Sequence, residues 1–378
     1  MSLLAEKVGP IERVESIVVS LPLVRPFETS FGVKREKTAL LLKISSEGLV
    51  GWGECIASPD PYYSYETIQT ARHLIKDFLL PLLGNSPSIG ELLDSFRRVR
   101  GHPMAKAAVE NALLDLIARR RGVPLHALFG AEKRRIPAGV SFGIQKDTAG
   151  LLELVAWAVG KKFHKIKVKI KKGKDLEILE AVRSRFPHIN LMADANADYS
   201  LDDLPLFREM DHYRLLMIEQ PLSYDDLYHH ALLQRELATP ICLDESVTSF
   251  DSAATAIAMG SCRIINIKQG RVGGLIESSR IAEYSLERGI GVWSGSVIET
   301  GIGRTFNMHL QTLPGFVFAG DNSGTVRAFE EDITEPMPVL GDDGCVEIPE
   351  GAGIGVRVLE ERVARYCIFR EESYRGMR

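Results

Sequence analysis

The stretch KIKVKI at residues 165–170 is followed by LMADAN at 191–196, LMIEQPL at 216–222, ICLDES at 241–246 and INIKQG at 265–270. Each is a short apolar run that closes on a polar side chain. Similar strands are read at 136–144 and 291–294, with 313–320 as the last. The first six are each followed by a stretch of helical character, for example 175–185, 252–259 and 275–288. Recurrence at roughly 25 residues is the period of a β/α unit in a parallel barrel. A doubly wound open sheet shares this alternation, but so many units in succession favour closure. The chain therefore reads as α/β, with a TIM-type barrel as its main body.

Catalytic groups of such a barrel sit where the strands end and the strand–helix loops begin. The polar residues there are Lys167 and Lys169, Asp194 with Asn196, Glu219 with Gln220, Asp244 with Glu245, and Lys268. Lys167 and Lys169 are two apart on a strand and share a face, which leaves Val168 and Ile170 to the helix side. Taken alone, Lys-x-Lys is more often a solvated edge strand. A closed barrel has no edge, so both amines point inward.

A single strand-end carboxylate such as Asp194 or Asp244 is often just the cap of the next helix. Three of them, Asp194, Glu219 and Asp244, converging on one mouth repel each other unless a cation intervenes. Oxygen donors without His or Cys nearby point to Mg²⁺, with Mn²⁺ as the alternative, and a substrate carboxylate and water complete the coordination. Lys268 lies across the mouth from the lysine pair. An amine among other cations and a metal has a lowered pKa and serves as a base near neutrality. The plainer reading, a lysine salt-bridged to one of the acids, fits the same geometry. Amines on opposite faces of a substrate carbon allow proton removal from either side, and a dication supports the resulting enediolate.

Other features carry less. The glycines of GRVGG at 270–274 permit a tight turn more often than they bind phosphate. His164 precedes its strand and His309 falls on a helix, so both read as structural. With 378 residues and a formal net charge of −4, and no block of like charge, neither nucleic acid nor a membrane surface is an expected partner. No long uncharged apolar run suggests a membrane span or a leader. The five scattered cysteines fit a reduced cytoplasm. Before the barrel, strands and turns run to about residue 54, then helices at 67–80, 91–98 and 104–120. Short strands return after residue 331, as a tail that packs on the N-terminal part.

Together these motifs, with PFETSFG at 26–32, GWGEC at 51–55, MAKAAVENALLDL at 104–116, VIETGIGR at 297–304 and DITEP at 332–336, resemble the enolase superfamily. The likeness is closest to the muconate-lactonizing subgroup, and within it to the o-succinylbenzoate synthase/N-acylamino acid racemase family. It runs almost end to end. It implies a (β/α)₇β barrel over residues 132–325, closed by an α+β capping domain made from residues 1–131 and completed by 326–378. It also implies Mg²⁺ ligands at Asp194, Glu219 and Asp244, acid/base lysines at Lys169 and Lys268, and Lys167 supporting developing negative charge. Asn196 and Glu245 match supporting positions, and Arg271 a position typical of the racemase-containing branch. Substrate-facing positions are Ser141, Phe31 and the end of the seventh strand, Ser296, Val297 and Ile298. No His stands at that seventh strand, which speaks against the mandelate racemase subgroup. Two positions depart from the family pattern: Ser296 adds a side chain where the backbone approaches the acyl group, and Gln269 replaces a usual Pro.

The expected activity is Mg²⁺-dependent removal of a proton beside a carboxylate, as an o-succinylbenzoate synthase of menaquinone synthesis, an N-acylamino acid racemase, or both. Both begin with the same step. Cycloisomerisation and dipeptide epimerisation are the rivals within the subgroup, and a non-catalytic metal-binding scaffold is the rival outside it. The expected partner is a small-molecule carboxylate, and the resemblance suggests a homo-oligomer.

Overall fold

The computed structural model describes residues 2–29, 32–321 and 328–376. Three antiparallel strands come first: β1 (Arg13–Thr29), β2 (Gly32–Ser46) and β3 (Leu49–Cys55). A short helix Ile68–Leu74 passes into a wider turn and a 3₁₀ turn at Leu80–Leu83, where Pro81 cannot donate to a regular helix. The helix Ile89–Arg97 starts at a Ser88/Glu91 capping box.

The helix Pro103–Arg121 is buried on nearly every side, from Met104 to Ala118. Such a helix has no solvent face and belongs between two layers. One layer is the β1–β3 sheet, and contact with it is close enough to dictate sequence. A Cβ on Gly51 would lie 2.1 Å from the Ala112 carbonyl oxygen, and one on Gly53 2.2 Å from that of Ala108. GWGEC is therefore a helix-packing surface.

The barrel follows. β4 (Arg135–Pro137) and β5 (Gly139–Phe142) replace the single strand expected over 136–144. The chain divides at Ala138, whose N–H bonds Gly344 of the tail at 3.0 Å, so only β5 enters the barrel. Then come β6 (Lys165–Lys169), β7 (Leu191–Asp194), β8 (Ile218–Glu219), β9 (Ile241–Leu243), β10 (Ile264–Asn266) and β11 (Gly291–Trp293). β5 to β11 form one parallel sheet in sequence order.

The expected last strand is present as an irregular extended segment. Val292 donates to Gly315 at 3.2 Å and Gly139 to Gly320 at 2.7 Å, so residues 315–321 bond both outer strands and close the ring. Inside lies a small cluster of Met192, Met217, Cys242, Ile264 and Trp293.

The tail supplies β12 (Thr334–Glu335), β13 (Cys345–Glu347), β14 (Arg357–Val358) and β15 (Cys367–Arg375). β13 pairs with β4, and β15 adds to β1, giving the cap sheet the order β15-β1-β2-β3. The cap is thus built from both chain ends over a barrel. Buried cap carboxylates bind it down: Glu54 accepts from the N–H groups of Thr300 and Gly303, and Glu110 from that of Ile276, each at the start of a barrel helix. Among the described residues no helix is long and apolar enough to cross a membrane.

Candidate active site

Parallel register aligns the strand ends. Lys169 on β6 stands beside Asp194 on β7, and Asp194 beside Glu219 on β8. Asp244 follows β9 directly, and Lys268 lies two residues beyond Asn266, the last of β10. All five are buried. Short strands with inward-facing polar termini can do this because their apolar residues alternate onto the helix side.

The side chains form an alternating lattice of charge. Lys169 donates to Asp194 Oδ2 at 2.8 Å and also contacts Asn196 Oδ1. Lys167 donates to Glu219 Oε2 at 3.0 Å and lies 3.7 Å from Asp194. Lys268 donates to Asp244 Oδ2 at 2.6 Å, and Arg271 to Asp244 Oδ1 at 2.5 Å. Asn266 donates to Glu219 Oε1 at 2.6 Å.

The acids nevertheless burden one another. Burial raises the Glu219 pKa against the pull of Lys167, and Asp194 and Asp244 push it further. Burial and then Asp244 lift Glu245 to about 8. Asp194 and Asp244 stay below the usual carboxylate range only because nearby cations outweigh their burial. Lys268 departs from expectation. Burial works to lower its pKa, but Asp244 outweighs it and holds the amine charged.

Each of the three acids grips an ammonium or guanidinium instead of converging. Among the described residues, no group of three or more His, Cys, Asp or Glu is gathered to hold a metal ion. The donor chemistry still suits a hard dication. Oxygen donors from neighbouring strands share one layer, they repel one another, and Glu245 Oε2 is buried with no hydrogen-bond partner. An added cation would answer the same repulsion that the lysines now answer.

The remaining positions sort by contact. Ser141 on β5 is register partner of Lys167 and half-buried. Asn196 also lies 3.4 Å from Glu245. Arg271 is spent on protein oxygens: besides Asp244 it reaches Val247 O, Asn266 O and the Tyr63 hydroxyl. The Ser296 hydroxyl turns back into its own loop, donating to Glu299 at 2.5 Å and accepting from Ile298 N–H. Val297 and Ile298 are half-buried beside it. Phe31 lies outside the described residues. Gln269 is tied to the cap helix through Asn111 at 2.7 Å. Asn196, Gln220 and Ile298 all have positive φ, at 45°, 38° and 64°. For a β-branched residue such as Ile298 this is strained, and strain of this kind gathers at functional loops.

Four residues were missed in the sequence. Lys165 also faces inward, over the Trp293 ring at 3.1 Å, and Asp321 bridges Lys165 at 3.1 Å and Lys167 at 2.9 Å. The two-residue period that aligned Lys167 with Lys169 extends to Lys165. Asp321 closes the barrel on a segment with no strand pattern, so nothing flagged it. Asn266 shares the face of Lys268, and it also accepts from Gly295 N–H at 2.7 Å. A Cβ on Gly295 would strike Asn266 at 2.5 Å. Tyr63, in the loop after β3, places its hydroxyl 3.2 Å from Lys268. Two surface cavities, of about 460 Å³ beside Trp52 and Arg119 and about 530 Å³ beside Pro336 and Val339, lie away from these groups.

Comparison with known proteins gives matches over most of the chain. Residues 13–130 match the mandelate racemase/muconate lactonizing enzyme N-terminal domain, and residues 151–362 the enolase C-terminal domain-like family. An o-succinylbenzoate synthase of Geobacillus kaustophilus is 44% identical over 94% of this chain and 96% of its own. An N-succinylamino acid racemase of Thermus thermophilus is also 44% identical, over 95% of this chain and 98% of its own. A crystal structure of an enolase superfamily member from Listeria innocua superposes with a TM-score of 0.92 at 40% identity, covering 96% of this chain and 98% of that one.

Proposed function

The chain belongs to the mandelate racemase/muconate lactonizing enzyme family of the enolase superfamily, and on that premise we propose that it removes a proton beside a substrate carboxylate, as o-succinylbenzoate synthase, N-succinylamino acid racemase, or both. The observation that carries the reading is the arrangement of amines. Lys169 and Lys268 reach the acidic row from its two ends, each against a carboxylate on a different strand.

Asp194, Glu219 and Asp244 would hold the divalent cation, Mg²⁺ or Mn²⁺, which when bound supplies positive charge at the substrate carboxylate and so acidifies the neighbouring C–H. The residues of the chain do the rest. A neutral lysine Nζ on one face accepts the α-proton, and the electron pair passes into the carboxylate to give an enediolate. Lys167 lends its charge to that developing anion. In racemisation the ammonium on the opposite face returns a proton to the same carbon, inverting it. In dehydration the pair expels the hydroxyl group from the next carbon, and the newly protonated lysine gives it a proton, releasing water. The buried setting excludes bulk water from the carbanion. Withdrawing Asp244 from Lys268 would free that amine to lose its proton near neutrality.

The test is α-proton exchange into deuterated water, followed by NMR, across N-succinyl amino acids with Mg²⁺ present, alongside dehydration to the aromatic product. Wild-type protein should exchange or dehydrate, and Lys169→Ala and Lys268→Ala should each fall by about three orders of magnitude. Neither reaction in the wild-type protein across the panel would reject the proposal.

A further inference from the structure

The cap contributes two amines of its own, Lys34 and Lys37, both on β2. Lys37 is buried, only 7% exposed, and its Nζ lies 3.5 Å from the carbonyl oxygen of Val297 in the loop after β11. Lys34 lies 3.4 Å from Ser58 Oγ, in the loop after β3 that also carries Tyr63. Part of the Lys34 side chain is open to solvent, yet its pKa is lowered, first by burial and then by Lys37, with Lys268 adding to it against the opposing pull of Asp60. The β2 amines therefore share the electrostatic field of the barrel mouth.

What separates Lys37 from the other buried lysines is the counter-charge. Lys165, Lys167, Lys169 and Lys268 each have a carboxylate within 3.1 Å. Among the described side chains, Lys34 and Lys37 meet a hydroxyl and a backbone carbonyl, Ser58 Oγ and Val297 O, and form no ion pair with a carboxylate. Glu54 feels Lys37 through space, but its oxygens are taken by Thr300 and Gly303. Burying an ammonium without a bonded carboxylate is unfavourable. Such a group on β2, set against the loop after β11, is best explained by an anion arriving from outside.

We propose that Lys37, with Lys34 beside it, binds the second, remote carboxylate of a dianionic substrate, and so selects a succinyl chain over an uncharged acyl chain of similar length. This rests on the function proposed above. There one carboxylate sits beside the reacting carbon, and the succinyl carboxylate is a separate anion several bonds away. The β2 amines belong to the cap and Lys37 meets the loop after β11, so a substrate held by them and by the strand-end acids spans cap and barrel. The Ser296–Ile298 loop, under Lys37, then borders the acyl chain through backbone and apolar side chains.

The experiment compares N-succinyl with N-butyryl amino acids in α-proton exchange, for wild type, Lys37→Met, Lys37→Arg and Lys34→Met. A charge-assisted hydrogen bond lost from a buried site lowers the succinyl-to-butyryl ratio of kcat/KM by about 10- to 100-fold. Lys37→Met should do this chiefly through KM, Lys37→Arg should keep most of the preference, and Lys34→Met should shift it less. Removing an uncompensated buried charge should leave the melting temperature of unliganded Lys37→Met equal or higher. If that variant does not fold, Lys34→Met carries the same comparison. Equal loss on both substrates overturns the assignment while leaving the proton chemistry intact. A wild type that exchanges neither substrate, and dehydrates nothing, removes the parent reading and this one with it.

Discussion

Replacing Asp321 by Asn tests whether the barrel interior is a charge lattice. Asp321 is the carboxylate that bridges Lys165 at 3.1 Å and Lys167 at 2.9 Å. Lys167 keeps Glu219 when the charge is removed, but Lys165 has no other ion-pair partner among the described residues. It keeps the Trp293 face, a contact worth about 2 kcal/mol when desolvated. Breaking one side of a buried pair typically costs about 3–5 kcal/mol. An independent ceiling follows from protonation: an amine of ordinary pKa that simply loses its proton at pH 7 forfeits about 5 kcal/mol and no more.

The two routes agree, so Asp321→Asn should destabilise the fold by about 3–5 kcal/mol at pH 7. The sign with pH follows from Lys165. Burial already lowers its folded pKa, and the variant lowers it further. The unfolded chain then binds more protons than the folded one below the ordinary lysine pKa, so the deficit shrinks as pH rises, by up to about 1.4 kcal/mol per unit. Adding Lys165→Met removes the stranded amine, sets a thioether on Trp293 and should restore most of the loss. Urea midpoints followed by tryptophan fluorescence at pH 7 and 9 measure all of this. A loss below about 1 kcal/mol, no pH dependence, or no recovery in the double variant would refute the argument.

Glu110 should set an alkaline limit on cap–barrel docking. Burial pushes its pKa up to about 8 from an unfolded value near 4.5, so the folded state holds the proton longer and stability falls as pH rises across that window. Glu110→Gln keeps an oxygen for Ile276 N–H, and it should be near neutral at pH 5 but gain up to about 4 kcal/mol at pH 8.5, read as a higher melting temperature. Mg²⁺ titrated against unliganded protein should raise the melting temperature, equivalent to about 2.7 kcal/mol at a hundred times Kd, and chelator should reverse it. Asp244→Asn should abolish that response, and an unchanged response would remove Asp244 from the ligand set.

The barrel and the polar residues at its strand ends can be read without coordinates, because both follow from local periodicity. Strand alternation is fixed within a few residues, and the recurrence of strand and helix leaves few topologies. That is why Lys167, Lys169, Asp194, Glu219, Asp244 and Lys268 were legible one strand at a time, and why the end-to-end motif set revealed the family. Tertiary structure decided what depends on partners far apart in the chain. Lys165 has meaning only beside Asp321, 156 positions later, on a segment without strand pattern. The split of the first barrel strand depended on Gly344, and the need for Gly51 and Gly53 on a helix more than fifty residues on. Nothing local marks Lys37, whose burial against the loop after β11 depends on how the cap docks. The direction of the Lys268 shift was likewise invisible, because it depends on a 2.6 Å contact with Asp244 competing against burial. Local chemistry sets which groups are available, and the long-range fold sets which charges each of them meets.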